Sequence, residues 1–480
     1  MFNRHVHPPI LASSPRKLLF SRLFCTLNLS ILGALAAQSA TAQTKRIPPA
    51  LPSKPSIATA TPASTSSPAS SKEEMRGIWV VRDSLKSPAS VHQVIVTAQK
   101  YHLNAIFVQV RGRGDAWYSS HLEPRAEMLA GQPASFDPLE QMVREGHKAG
   151  LKVHAWMNTF LTWSGSKSPS SEVHLWNSHR DWFAHDENGK CSCIPTTKTE
   201  GAFLSPSNPE VQKHLFNVFT DVASRYDVDG IHFDYCRYAG ANVDFSQGAL
   251  DRFRRSLVGT LTEDQIVQFD GRRQSDSRIY VHAFGKQWAD WRRMQITNLV
   301  TRISQAVKTN KPWMEVSAAV FPDSNEAFND KGQDWKGWIQ SGVLDAVVLM
   351  AYDKNTDKIV RQTQEALSFA GDRHVYIGLG AWRLPAGDVA HKIAEVRKTG
   401  AAGVNLFSYD GVHTKPQYLN TLSRTVFASR SASPRMRWLP DRSGKRVPAP
   451  PETGSPTKSE LNSDGEPRIE IQLNGDHKDN

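Results

Sequence analysis

Apolar and polar positions along this chain fall into short blocks that repeat. Runs rich in β-branched and aromatic residues stand at 77–81, 105–110, 152–157, 230–233, 315–320, 346–350, 375–379 and 403–407. Bounded runs of this length and composition predict strands. Between them lie amphipathic segments with helix punctuation. Asp137 is placed to cap a helix that Pro138 opens, with Leu139, Met142 and Val143 on one face and Gly150 as the stop. Asn208-Pro209 opens a second, with Val211, Leu215, Phe219, Val222 and Tyr226 at helical spacing, and Gly342 and Gly400 close two more. Eight strands alternating with helices predict a parallel sheet closed into a (β/α)8 barrel over 73–428. That span exceeds the ~250 residues of a plain barrel. Insertions are therefore expected at 163–200 and 239–311, before and after the fourth strand.

The termini have a different pattern. Residues 1–42 carry Arg4, Arg16, Lys17 and Arg22, then an apolar stretch at 23–37 and the small residues Ala40-Thr41-Ala42, the layout of a secretory signal peptide. The stretch is shorter than the ~20 residues of a membrane span, so an exported protein, periplasmic or extracellular and without stable membrane insertion, is expected. Residues 43–72 are rich in Pro, Ala, Ser and Thr and predict a linker; 429–480, poor in apolar residues apart from Trp438-Leu439 and 469–473, predict a disordered tail.

Charge changes the picture little. Lys and Arg number 58 against 47 Asp and Glu, a net of +11. This suits solubility or attraction to anionic polymers. No basic stripe interleaved with aromatics indicates nucleic acid. Beyond the leader stand Cys191, Cys193 and Cys236. An odd number leaves at least one thiol unpaired within the chain, and a bridge from the Cys191/Cys193 loop to Cys236 is one expectation.

The chemistry concentrates at strand ends. Residues 229–238 read Asp-Gly-Ile-His-Phe-Asp-Tyr-Cys-Arg-Tyr. Alternation turns Ile231 and Phe233 one way and His232 and Asp234 the other. The strand ends on a carboxylate, and Tyr235, Arg237 and Tyr238 follow in a loop. In parallel barrels that end carries the active site. Alternation likewise groups Phe107, Gln109 and Arg111, and His154, Trp156 and Asn158. Trp117, Tyr118, Tyr352 and Trp382 stand at or just past other strand ends. Each such aromatic taken singly reads as rim packing, but the set reads as a cleft.

Five segments carry a family resemblance: Met75-Arg-Gly-Ile-Trp-Val-Val, Phe107-Val-Gln-Val-Arg-Gly-Arg-Gly-Asp-Ala-Trp-Tyr, His154-Ala-Trp-Met-Asn, Leu204-Ser-Pro-Ser-Asn-Pro-Glu-Val and Asp229 to Tyr238. Together they resemble the glycosyl hydrolase-like 10 family of exported barrel proteins. The resemblance implies a glycoside hydrolase acting on a polysaccharide, with bacterial cell-wall glycan among the substrates to consider. Where that family often shows two successive acids after the fourth strand, this chain has Asp234 and then Tyr235. Glycoside hydrolysis needs two carboxyl groups flanking one bond. Asp115 and Asp353 are the expected partners of Asp234, ahead of Asp323 and Asp410, while Asp229 begins the fourth strand and reads as structural. The expected substrate contacts are Gln109, Arg111, Trp117, Tyr118, His154, Trp156, Asn158, His232, Tyr235, Arg237, Tyr238, Tyr352 and Trp382.

Other chemistries lack their signatures. Cys236 stands where a chitinase-type substrate-assisted mechanism needs Glu. There is no Gly-x-Ser-x-Gly elbow and no phosphate-binding glycine loop. His92, His102, His147 and His154 lack metal-ligand spacing, so neither metal nor cofactor is expected. The rival expectation is a carbohydrate-binding barrel that has lost one acid.

Overall fold

The structure, a computed structural model, describes residues 73–193 and 200–445. The expected leader and linker, and the tail beyond 445, lie outside the described residues. Eight parallel strands close into a barrel: β1 (Met75–Val80), β2 (Ala105–Arg111), β3 (Lys152–Asn158), β4 (Gly230–Asp234), β5 (Glu315–Val320), β6 (Ala346–Met350), β7 (His374–Gly380) and β8 (Gly403–Phe407). Each strand pairs with its sequence neighbours and β1 pairs with β8, so this is the (β/α)8 barrel that the strand–helix alternation predicts.

Local signals set the helices. Asp137 accepts the Glu140 backbone N–H at 3.0 Å and caps Pro138–Lys148; Asn208 accepts that of Glu210 at 2.9 Å and caps Pro209–Arg225. Their apolar faces, with Leu139 and Met142 in one and Val211, Leu215, Phe219 and Val222 in the other, are buried against the outside of the barrel.

Strand alternation divides the core in two. Ile78, Ile106, Val153, Ile231 and Val316 pack outward beneath the helices, while Met75, Trp79, Phe107, Trp156 and Tyr376 fill the lumen. One place breaks the period. Between β2 and β3 the register runs from Gln109 opposite Trp156 to Arg111 opposite Met157, two residues against one. Such a bulge re-aims the next side chain, and Arg111 leaves the lumen for the outer layer.

The insertions stand where the excess length predicts them. Between β3 and β4, Leu161–Trp163 pairs antiparallel with Ala202–Phe203. Between β4 and β5, helices Gln247–Val258, Glu263–Arg272 and Ile279–Ala283 precede the long helix Gly285–Asn310 and share an apolar cluster that includes Phe253, Tyr280 and Trp288. The cysteines depart from expectation: Cys191 and Cys193 are bonded to each other, and Cys236 is a free thiol buried in the outer core. Packing fully encloses Cys236, while Cys191 and Cys193 are partly buried against the same core.

Residues 429–445 also differ from the disordered tail expected from their composition. They cross the bottom of the barrel as a strap. Met436 joins the lumen cluster, Trp438 Nε1 donates to Asp345 Oδ1 at 2.7 Å, and Arg442 pairs with Asp227 and Asp229. Few apolar residues suffice because the open barrel floor supplies a ready apolar surface. No helix among the described residues is long and apolar enough to cross a membrane.

Candidate active site at the C-terminal face of the barrel

The C-terminal ends of the strands surround a cavity of about 700 Å³, with Asp234 on its wall. Asp234 is the last residue of β4 and is 7% exposed. Trp156 Nε1 donates to its Oδ2 at 2.9 Å and the Tyr235 backbone N–H to its Oδ1 at 2.7 Å. Tyr235 itself holds φ at +47°. A left-handed conformation costs a non-glycine residue of the order of 1–2 kcal/mol, and strain of this kind persists where neighbours over-determine it. Here the Phe160 N–H holds the Tyr235 carbonyl at 3.2 Å and the Arg237 guanidinium lies 4.6 Å from the Tyr235 ring centre.

Burial drives the electrostatics of Asp234. It pushes the carboxyl up to about 6, with the Glu200 charge adding to the rise; the Tyr235 N–H, the Arg237 charge and the Trp156 N–H pull the other way and do not cancel it. The group is thus a carboxylic acid that keeps its proton in mildly acidic water.

A relay of hydrogen bonds runs along the wall from Asp234. Trp156 Nε1 also reaches Asn158 Oδ1 at 3.1 Å, Gln109 Nε2 donates to the same oxygen at 3.3 Å, and Arg82 Nη1 donates to Gln109 Oε1 at 2.8 Å. Opposite stands an aromatic wall. Tyr352 lies edge-on to Trp382 with centroids 5.0 Å apart, and Phe407 is 5.4 Å from Tyr352 and 5.3 Å from Trp382. Trp382 is 40% exposed, an open ring face at the mouth.

Nine residues expected from the sequence meet in this cavity: Gln109, Trp156, Asn158, Asp234, Tyr235, Arg237, Tyr352, Asp353 and Trp382. Seven lie elsewhere, and their expected placement is corrected. Arg111, turned outward by the bulge, is fully buried against Glu123, with Nη2 to Oε1 at 2.6 Å and Nη1 to the Thr159 carbonyl at 3.0 Å. Trp117 and Tyr118 fold back with it into the outer core. Asp115 accepts the Arg113 N–H at 3.0 Å behind the cleft wall; burial raises its pKa and the Arg82 charge opposes the rise. His154 and His232 do point inward, but a layer below the cleft. His154 stacks on Phe107 at 4.4 Å, where Gly230 makes room: a Cβ there would stand 2.4 Å from His154 Nδ1. His232 Nε2 accepts from Trp79 Nε1 at 3.2 Å, and burial depresses both imidazoles so that they stay neutral. Tyr238 packs under Arg292 and donates to its carbonyl at 3.2 Å.

The remaining acids sort by partner. Asp353 lines the cavity but bonds the Asn355 N–H at 2.9 Å and Lys358 Nζ at 3.0 Å, which hold its pKa below the usual range. Asp323 caps helix Ser324–Asn329 and Asp410 accepts the Val81 N–H at 2.8 Å, both structural positions. Asp229 sits at the bottom, hydrogen-bonded to His147 at 2.8 Å.

Sequence reading missed Arg82, Phe407, Glu200 and Glu326, which also line the cavity. Phe407 could have been found, since it ends β8 on the inward phase of that strand. Glu200 ends an insertion with no periodicity, and nothing local places it. Among the described residues no three His, Cys, Asp or Glu side chains cluster so as to hold a metal ion.

A closed parallel barrel with a buried, raised-pKa carboxyl and an aromatic cleft at its C-terminal face has the layout of a barrel hydrolase site. The chain belongs to the glycosyl hydrolase-like 10 family, which it matches over residues 74–392. It is similar to the glycosyl hydrolase DigH of Escherichia coli strain K12, at 26% identity covering 71% of this chain and 77% of that one. It is also similar to the glycosyl hydrolase YngK of Bacillus subtilis, at 23% identity covering 79% and 76%. Among solved structures it shares its fold with the PgaB (BpsB) glycoside hydrolase domain of Bordetella bronchiseptica, at a TM-score of 0.54 and 17% identity, covering 73% of this chain and 98% of that domain. The catalytic domain of a Paenibacillus polymyxa β-amylase gives a TM-score of 0.53 at 15% identity, covering 75% and 99%.

Proposed function

We propose that the protein is an exported glycoside hydrolase that cuts a polysaccharide with carboxyl groups at the C-terminal face of its barrel, and that peptidoglycan glycan strands are its substrate. The observation that carries this reading is Asp234, held at about 6 beside an aromatic wall. A glycosidic oxygen must gain a proton as its bond to carbon breaks, and a carboxyl of that acidity supplies one at near-neutral pH. Tyr352, Trp382 and Phe407 offer apolar faces to sugar C–H groups, while Asn158, Gln109 and Arg82 offer polar atoms to hydroxyl and amide groups. The relatives named as glycosyl hydrolases support the class. The leader-like residues 1–42 support export, and the net charge of +11, which is +7 without that leader's four basic residues, suits an anionic wall polymer.

A second reading, a carbohydrate-binding barrel without catalysis, has one observation in its favour: Tyr235 stands where a second acid would follow Asp234. One experiment separates the two. Purified protein and its Asp234→Asn variant are incubated with a panel of glycans that includes peptidoglycan strands, and products are identified by mass spectrometry. The wild type should release fragments with new reducing ends, and the variant should bind equally but turn over ~10²–10⁴-fold more slowly. Binding with no product from the wild type leaves the second reading standing and removes the first. Export is checked on the same preparation, whose N-terminus should lie near Gln43; an intact Met1 overturns it.

A further inference from the structure

We propose that Glu200 is the second carboxylate of the cleft, a general base that takes a proton from the attacking water while Asp234 protonates the leaving oxygen. The inference rests on the hydrolase reading above and names the acid that reading lacks.

Four carboxyl groups line the cavity: Asp234, Glu200, Glu326 and Asp353. Asp353 is tied to Lys358 Nζ at 3.0 Å and to a backbone N–H. Glu326 stands exposed in the first turn of helix Ser324–Asn329. Glu200, exposed like Glu326 and paired like Asp353, differs from both in that its partner belongs to the loop that carries Asp234. Arg237, three residues past Asp234 in the same loop, extends Nη2 to its two oxygens at 3.2 and 3.0 Å. The Arg237 side chain is only 5% exposed, and its guanidinium lies 4.6 Å from the ring centre of Tyr235 and 5.1 Å from that of Phe321. A buried, ring-packed guanidinium is a fixed donor, and here one nitrogen, Nη2, holds both oxygens of the carboxylate. Glu200 is also close enough that its charge acts on Asp234.

Exposure decides the roles. The Glu200 side chain is 55% exposed and open to water, as a base needs when a water molecule must stand between it and the sugar; Asp234 is enclosed and keeps its proton. In the reaction the Asp234 proton passes to the glycosidic oxygen, which leaves C1 with the bonding electron pair. The water oxygen bonds to C1 from the opposite side and its proton passes to Glu200. The products are a free hydroxyl and a reducing sugar of inverted anomeric configuration, and proton exchange with solvent resets both acids.

The test uses the whole protein with two probes, purified peptidoglycan glycan strands and a dinitrophenyl chito-oligosaccharide. Glu200→Gln should lower kcat by ~10²-fold or more on both probes, because a better leaving group does not replace a base. Asp234→Asn should lose activity on the strands and recover most of it on the dinitrophenyl probe. Added formate should restore turnover to Glu200→Ala, a rescue that a merely structural role would not produce, and proton NMR of the first product should show the inverted anomer. Glu200→Gln turnover close to wild type, no formate rescue, or a retained anomer overturns the proposal while the hydrolase reading stands. A wild type that cleaves neither probe overturns both.

Discussion

At the scale of single residues, the property that suits Asp234 to proton transfer also makes it a burden on the fold. Its folded pKa of about 6 lies above the ~3.9 of an unfolded Asp. Between those values the unfolded chain releases a proton that the native state retains, so stability falls as pH rises from about 4 to about 6. A displacement of about two units corresponds to roughly 3 kcal/mol, absent below pH 4 and complete above pH 6. Asp234→Asn removes the titration. Its amide also puts an N–H where the carboxyl accepted from Trp156 or Tyr235, an offset of about 1–3 kcal/mol that does not vary with pH. Urea unfolding of both proteins at pH 4 and pH 7.5 should therefore show the difference shifting by about 3 kcal/mol in the variant's favour at the higher pH. An unchanged difference would mean that Asp234 is ionised and solvated in the fold. Asp234 itself was legible in the sequence because strand phase and strand end coincide in one residue. Glu200 was not, because its position depends on Arg237 reaching across from another loop.

At the scale of elements, bounded apolar runs located all eight strands to within a few residues, and period-two alternation in the second, third and fourth told lumen from outer face as far as each strand stays regular. It failed at Arg111, where the bulge after Gln109 reverses the phase. The glycines at 112 and 114 were the local sign that the strand was ending, but a glycine does not say which way the last side chain turns. The result is a buried ion pair between the end of β2 and the loop that follows it, whose guanidinium also donates to the Thr159 carbonyl just past β3. Burial alone would raise the Glu123 pKa; the Arg111 charge, with His214, instead holds it at about 2. Glu123→Gln strands the Arg111 guanidinium in the core and should cost about 3–5 kcal/mol at neutral pH. The sign with pH is opposite to that of Asp234. This pair's stability is complete above the ordinary Glu range near 4.5 and is lost as pH falls towards 2. Wild type and variant should thus draw together as pH falls below about 4.5 and converge near pH 2, and a constant gap over that range would show that Arg111 does not depend on Glu123.

At the scale of the whole molecule, the barrel has two differently finished ends. The C-terminal ends of the strands stay open as the cleft, while residues 429–445 cover the floor with Met436, Trp438 and Leu439. Composition hid the strap, since its Arg and Ser content suits an unstructured tail; the partners that order it, Glu73, Asp227, Asp229 and Asp345, are scattered along the chain. The two ends are separated by strands of five to seven residues, roughly 15–25 Å at ~3.3 Å per residue. Stability and chemistry should therefore separate. A buried Met replaced by Ala costs about 2–5 kcal/mol in a core that cannot collapse, but the strap can detach, so Met436→Ala can cost no more than the strap's whole docking energy. A chain ending at Ala428, compared with one ending at Lys445, measures that limit directly. The shorter chain should unfold at lower urea and melt several degrees lower, Met436→Ala in the longer chain should fall between the two, and kcat and KM on the cleaved glycan should match in all three. Equal stability of the two chain lengths would show that the strap does not hold the floor, and a loss of kcat in the shorter one would show that floor and cleft are coupled through the lumen.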